Sequence, residues 1–172
     1  MLNSWKYCRE NKGLEIYAWC IMTSHINMIV GTQGNKLEDI MRDMKRHTAI
    51  GLRKAIEDHP GESRKDWLLW MMKRAGEKNG QNLKFQLWQQ DNHPLALYDI
   101  KMLHQKMDYI HNNPVVAGIV KKPEDYLYSS ARNYYDLPGL IDVILIDPMV
   151  QKKYSLGHEY ALRWPALHTR AS

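Results

Sequence analysis

Between residues 36 and 57 the chain carries its clearest periodicity. Leu37, Ile40, Met41, Met44, Thr48, Gly51 and Ala55 recur at helical spacing and share one face. Just before it, from Leu14 to Val30, the residues Ile16, Tyr17, Trp19, Cys20, Ile21, Ile26, Met28, Ile29 and Val30 are apolar and strand-favouring. Met22-Thr-Ser-His interrupts that run, which therefore reads as two strands or one bent strand, and residues 31–35 read as a turn. Residues 3–12 read as a short helix stopped by Gly13. Strands interleaved with helices predict an α/β sandwich with helices against one sheet.

Further along, residues 64–78 read as a helix whose Trp67, Leu68, Leu69, Trp70, Met71 and Met72 are assigned to the core rather than to a stacking platform. Residues 83–89 alternate like a half-buried strand, and Tyr98 to Asn113 read as a helix closed by Pro114. With no repeat and no linker, the expectation is one domain over 1–150, followed by a loosely ordered tail over 151–172.

Composition removes several classes. A chain of 172 residues buries about two-thirds of its unfolded surface and needs no disulfide or structural metal. Its two cysteines, Cys8 and Cys20, make no CxxC pair or zinc spacing, which fits a reducing cytoplasm. No apolar run approaches the roughly 20 residues of a membrane span. The start, Met1-Leu-Asn-Ser-Trp-Lys, lacks signal-peptide character. The excess of 24 Lys+Arg over 19 Asp+Glu, a net +5, fits a solvated surface as well as an acidic partner. Its placement says more. Arg42, Arg46 and Arg53 lie within about 40° of one another on the polar face of the 36–57 helix, with Lys45 beside them, as a phosphate-contacting surface requires.

Two groups of residues can carry chemistry. His25 and Asn27, two apart in an extended segment, share one face of a strand and suit two ligands of one metal ion, although an ordinary hydrogen-bonded histidine has the same spacing. In the helix before Pro114 the apolar face is Ile100, Leu103, Met107 and Ile110; Tyr109 points roughly 140° away from it, with Asn113 one turn later on the same side. That pair reads either as a nucleophile and a ligand, or as a surface tyrosine with a helix-ending Asn.

The run Tyr109-Ile-His-Asn-Asn-Pro-Val-Val-Ala-Gly, with Lys122-Pro-Glu-Asp-Tyr-Leu-Tyr-Ser-Ser-Ala after it, resembles the signature of REP-associated tyrosine transposases, domesticated relatives of the single-tyrosine HUH transposases. Ala18-Trp-Cys-Ile-Met-Thr-Ser-His-Ile-Asn-Met-Ile-Val is similar to the family's metal-site strand, and Phe85-Gln-Leu-Trp-Gln-Gln-Asp-Asn-His-Pro to a later strand. The resemblance runs from about residue 3 to about residue 150. It implies an α+β fold of HUH type, an antiparallel sheet with helices packed against it and a ferredoxin-like core, with Tyr109 as nucleophile, His25, Asn27 and Asn113 as ligands of Mg²⁺ or Mn²⁺, and single-stranded DNA carrying hairpins as the substrate to be cleaved and rejoined. Arg42, Lys45, Arg46, Arg53, Arg64, Lys65, Lys121, Lys122 and Arg132 are the expected phosphate contacts, and Trp88, Tyr126 and Tyr128 the expected stacking partners. Two departures accompany the resemblance. Asn27 stands where the family has its second histidine, which implies weakened activity or a hairpin-binding relic. The family's first strand is missing ahead of the 3–12 helix, which implies a truncated gene, a tolerated open edge, or a second copy of the chain pairing through that edge.

Overall fold

The computed structural model describes residues 1–78, 84–89 and 94–146, together with the backbone of 160–165. The first helix, α1 (Leu2–Lys12), ends at Gly13, whose φ of 66° is the left-handed conformation. A Cβ there would collide with the carbonyl oxygen of Gln33, and the Gln33 amide donates to the Gly13 carbonyl at 2.9 Å. Glycine is what lets the helix stop and the two backbones touch.

The apolar run that follows is two antiparallel strands, β1 (Leu14–Ile21) and β2 (His25–Thr32), joined by the Met22-Thr-Ser turn, with Ile21 opposite Ile26 and Cys20 opposite Asn27. An irregularity in the register between Ile16 and Ala18 shifts the alternation of β1. Leu14, Ile16 and Trp19 therefore join one core, while Tyr17, Ala18 and Cys20 join the other. Both faces of the hairpin are covered, which is why its sequence is apolar almost throughout.

On one face lie α1 and the long helix α2 (Leu37–Asp58), whose Trp5, Cys8, Ile40, Met41 and Met44 meet Trp19, Ile26, Met28 and Val30. The Trp5 and Trp19 rings meet edge to face at 5.5 Å. Helix α3 (Lys65–Glu77) packs on α2, outside that layer. On the opposite face lies α4 (Ile100–Val116), whose Leu103, Met107 and Ile110 meet Tyr17, Ala18, Cys20 and Ile29. The chain then makes a 3₁₀ turn at Pro123–Asp125 and a short helix, α5 (Ala131–Tyr134). The expected antiparallel sheet with helices against it is present, covered on both faces.

Several expectations need correction. Along α2, Gly51 and Ala55 are exposed, and Leu52 packs at the core edge instead, because burial follows the four-residue step through Met44 and Thr48. In α3 only Met72 and Gly76 are buried; Trp67 and Trp70 face solvent, so the Trp/Met cluster is not a core. Residues 84–89 form no extended strand: the Trp88 indole donates to Thr48 Oγ1 at 3.0 Å and the Gln86 amide to the Met72 carbonyl, which draws the segment onto α2 and α3. Leu83 lies outside the described residues. Pro114 sits inside the last turn of α4 rather than ending it.

The segment past residue 150 is more than a tail. Its β4 (Tyr160–Pro165) pairs antiparallel with β2, His25 opposite Pro165 and Asn27 opposite Arg163, and on its other side with the two-residue β3 (Leu95–Ala96), giving the order β1-β2-β4-β3. The outer edge of β1 is not open either. Ile21 N–H donates to the Tyr128 carbonyl, Ser130 N–H to the Trp19 carbonyl, and Ile144 N–H to the Ile16 carbonyl, each at 2.9 Å. The Tyr-Leu-Tyr-Ser-Ser motif is thus the strip that closes the sheet. An edge left free on β1 for a second copy, as the missing strand implied, is already occupied.

Candidate functional site

His25 and Asn27 lie on the sheet face that α4 covers, since the even-numbered neighbours Ile26 and Met28 point to the α1/α2 side. His25 is half-buried at the start of β2, its Nδ1 hydrogen-bonded to Ser24 Oγ at 3.1 Å. Asn27 is 3% exposed, and its Nδ2 has no hydrogen-bond partner among the described residues. A buried N–H donor left unsatisfied costs about 1–3 kcal/mol, a penalty that an acceptor relieves and a cation does not; a metal ion would use the Oδ1 of the same carboxamide.

Tyr109 stands on the outer face of α4, 53% exposed, as its angular position predicted. The Lys106 ammonium lies 5.8 Å from the ring centroid. Asn113, one turn on, donates its Nδ2 to the Tyr109 carbonyl at 2.8 Å and to the Ile110 carbonyl at 3.4 Å. This orients Asn113 Oδ1, the atom a metal would use, away from the helix backbone. Among the described residues no hydrogen bond joins Tyr109 or Asn113 to Asn27. The two pairs occupy one sheet face and the helix lying over it.

As a donor set for Mg²⁺ or Mn²⁺, one imidazole and two carboxamide oxygens fit oxygen-preferring ions, Mn²⁺ more readily because of the nitrogen. The set carries no negative charge, so affinity is low by construction. Among the described residues no group of three or more His, Cys, Asp or Glu could hold a metal ion.

The expected phosphate contacts divide by layer. Arg42, Lys45, Arg46 and Arg53 belong to α2, on the side of the sheet opposite Tyr109. Arg42 pairs with Asp39 at 2.7 Å and Arg53 with Glu57 at 2.8 Å, while Lys45 donates to the Gln89 carbonyl. Arg64 pairs with Glu62, and Lys65 donates to the Glu57 carbonyl. Arg46 is exposed with no ion pair among the described residues. Lys121 and Lys122 are exposed just after α4, which itself carries Lys101 and Lys106. Arg132 is a structural clamp, donating to the Pro138 carbonyl at 2.8 Å and the Glu124 carbonyl at 3.1 Å. Of the expected stacking residues, Trp88 is buried, Tyr126 donates its hydroxyl to the Ile21 carbonyl, and Tyr128 stays half-exposed.

Sequence reasoning missed the anchor beneath the site. His111, buried two residues after Tyr109, is hydrogen-bonded through Nε2 to Ser130 Oγ at 2.9 Å, and that same oxygen accepts from the Trp19 N–H at 2.8 Å. Burial lowers the imidazole pKa to about 4, so it is neutral at pH 7. Its place inside the YIHNN run was a signal; its partner, 19 residues away, was not visible. His104 Nε2 is likewise buried without a hydrogen-bond partner among the described residues.

No family model matches the chain, and neither a curated protein nor a solved structure does.

Proposed function

We propose that this chain is a tyrosine-nucleophile strand transferase for single-stranded DNA, of the REP-associated HUH kind, with a weakened metal site. What supports the reading is an exposed Tyr109, beside Lys106 and one turn before Asn113, on the outer face of the helix whose inner face covers the sheet side carrying His25 and Asn27.

In the proposed reaction Tyr109 Oη attacks a backbone phosphorus and its proton passes to solvent. The P–Oη bond forms as the P–O3′ bond breaks, leaving a 5′-phosphotyrosine and a 3′-hydroxyl that takes up a proton. The covalent link retains the phosphodiester energy, so another 3′-hydroxyl can reverse the attack without ATP. Lys106, and Lys121 and Lys122 beyond the helix end, would hold flanking phosphates. His25, Asn27 and Asn113 would hold Mg²⁺ or Mn²⁺, which when bound draws charge from the phosphate oxygens. The rigid link from α4 through His111 and Ser130 to β1 keeps the tyrosine helix in register with the sheet.

A second reading, a hairpin-binding protein without cleavage, is favoured by the uncharged ligand set around Asn27. One assay separates them. Labelled single-stranded hairpins are incubated with Mn²⁺ or Mg²⁺ and wild type, Tyr109→Phe or Asn27→His, then run on a denaturing gel. The expected result is a metal-dependent adduct, absent in Tyr109→Phe and stronger in Asn27→His. Hairpin binding with no adduct in any variant would leave only the second reading.

A further inference from the structure

We propose that the outward face of α3, carrying Trp67, Trp70 and Arg74 and continued by Lys78, is a stacking platform for an unpaired nucleic-acid strand, separate from the Tyr109 site. The inference rests on the nucleic-acid part of the proposed function and is independent of cleavage.

Positions 67, 70, 74 and 78 fall within about 80° of one another on a helix. The two indoles are 40% and 53% exposed, an unusual state for the most hydrophobically rewarding side chains of a helix whose inner face buries only Met72 and Gly76. The charge around them is complementary to phosphate. The Arg74 guanidinium lies 5.1 Å from the Trp70 ring centroid, and neither Arg74 nor Lys78 makes an ion pair among the described residues. The carboxylates Asp66 and Glu77 sit to one flank, and Glu77 is engaged with Lys73 at 3.9 Å. Nearby, on the α2 side, Arg53 lies over Phe85 at 4.8 Å, a second cation on an aromatic ring.

An apolar protein partner would have to strip water from Arg74 where it covers Trp70, at a cost with no compensation. A single strand uses both features, bases on the indoles and phosphates on the cations. The helix rise puts the two indoles about 4.5 Å apart along the axis and Arg74 about 6 Å further, close to one nucleotide step of a partly stretched strand. Because α3 belongs to the α1/α2 side, the strand held here is the flank of the substrate and not the phosphate at Tyr109.

The test uses the full chain and a fluorescein-labelled 20-mer oligothymidylate, which forms no hairpin, with affinity read by anisotropy across a salt series. Trp67→Leu and Trp70→Leu should each weaken binding roughly tenfold, while the Phe variants restore it to within about threefold, since stacking needs only an aromatic face. Arg74→Gln should lower the slope of log affinity against log salt by about 0.7. Both tryptophans are exposed, and far-UV circular dichroism of each variant checks that the fold is kept. Unchanged affinity in the double Leu variant overturns the platform, as does equal weakening by Leu and Phe. So does loss of self-association in sedimentation with oligothymidylate binding intact, which would mark a second copy as the occupant. Adduct formation at Tyr109, measured in parallel, distinguishes the two proposals. Leu-sensitive binding without an adduct leaves the platform and removes strand transfer; an adduct with Leu-insensitive binding does the reverse.

Discussion

Pro114 removes the amide that would close the last turn of α4 onto the Ile110 carbonyl, and Asn113 covers that carbonyl with its own side chain. A residue that the resemblance casts as a metal ligand is therefore also a repair to the helix. His111, one turn back, is a purely internal anchor. Its folded pKa, about 4, lies below the usual 6.5, so the folded state binds the proton less readily than the unfolded chain. The stability linked to it is complete above pH 6.5 and is lost as pH falls toward 4, by up to ~3 kcal/mol. Urea unfolding of wild type and His111→Gln across pH 7.5 to 4.5 should give converging curves on the acid side; parallel curves would contradict this. The cysteines make a second residue-scale case. Burial pushes the Cys20 thiol up to about 12 and raises Cys8 as well. Neither should react with iodoacetamide in the native state at pH 8, and both should after denaturation. Native labelling at free-thiol rates would contradict their placement.

Among the elements, α4 has one clear local stabiliser. Asp99 caps it, accepting a hydrogen bond from the Met102 amide at 2.7 Å. Asp99→Ala should cost about 1 kcal/mol in thermal or urea unfolding, and no loss would mean that the cap is redundant. This helix and α2 were legible in the sequence because each buries one side only, and Tyr109 was legible as a residue off the buried side. Trp67 and Trp70 were not, because an indole beside methionines has the same composition in a core and on an open face. The 83–89 strand failed for a related reason: its alternation is real, but bonds from Trp88 to Thr48 and from the Gln86 amide to Met72 take the described part of the segment to the helices. His25 and Asn27 on one face could be read from alternation. The helix covering that face could not, since the meeting of α4 with β2 depends on contacts far apart in sequence.

For the whole molecule the governing feature is a sheet with helices on both faces, which separates α2 and its arginines from α4 and its tyrosine. A DNA strand gripped by both would have to pass around the sheet. The same sheet depends on its most distant strand. Ending the chain at Val150 removes β4 from between β2 and β3, leaving the edge of β2 that faces away from β1 unpaired from His25 to Val30. The expected outcome is a loss of several kcal/mol and exposed apolar surface, read as a broad urea transition with dye binding. A truncated chain unfolding as sharply as the full one would contradict this.

That topology also sets a clock during synthesis. The β1–β2 hairpin leaves the ribosome early, yet its neighbour on the β2 side is not made until Tyr160–Pro165. At ordinary elongation rates the delay is on the order of ten seconds. Throughout it the nascent chain presents an unpaired, apolar strand edge that no earlier segment is built to cover. Chaperone demand, codon speed over the last third of the message and yield on expression should all be tied to that one late strand.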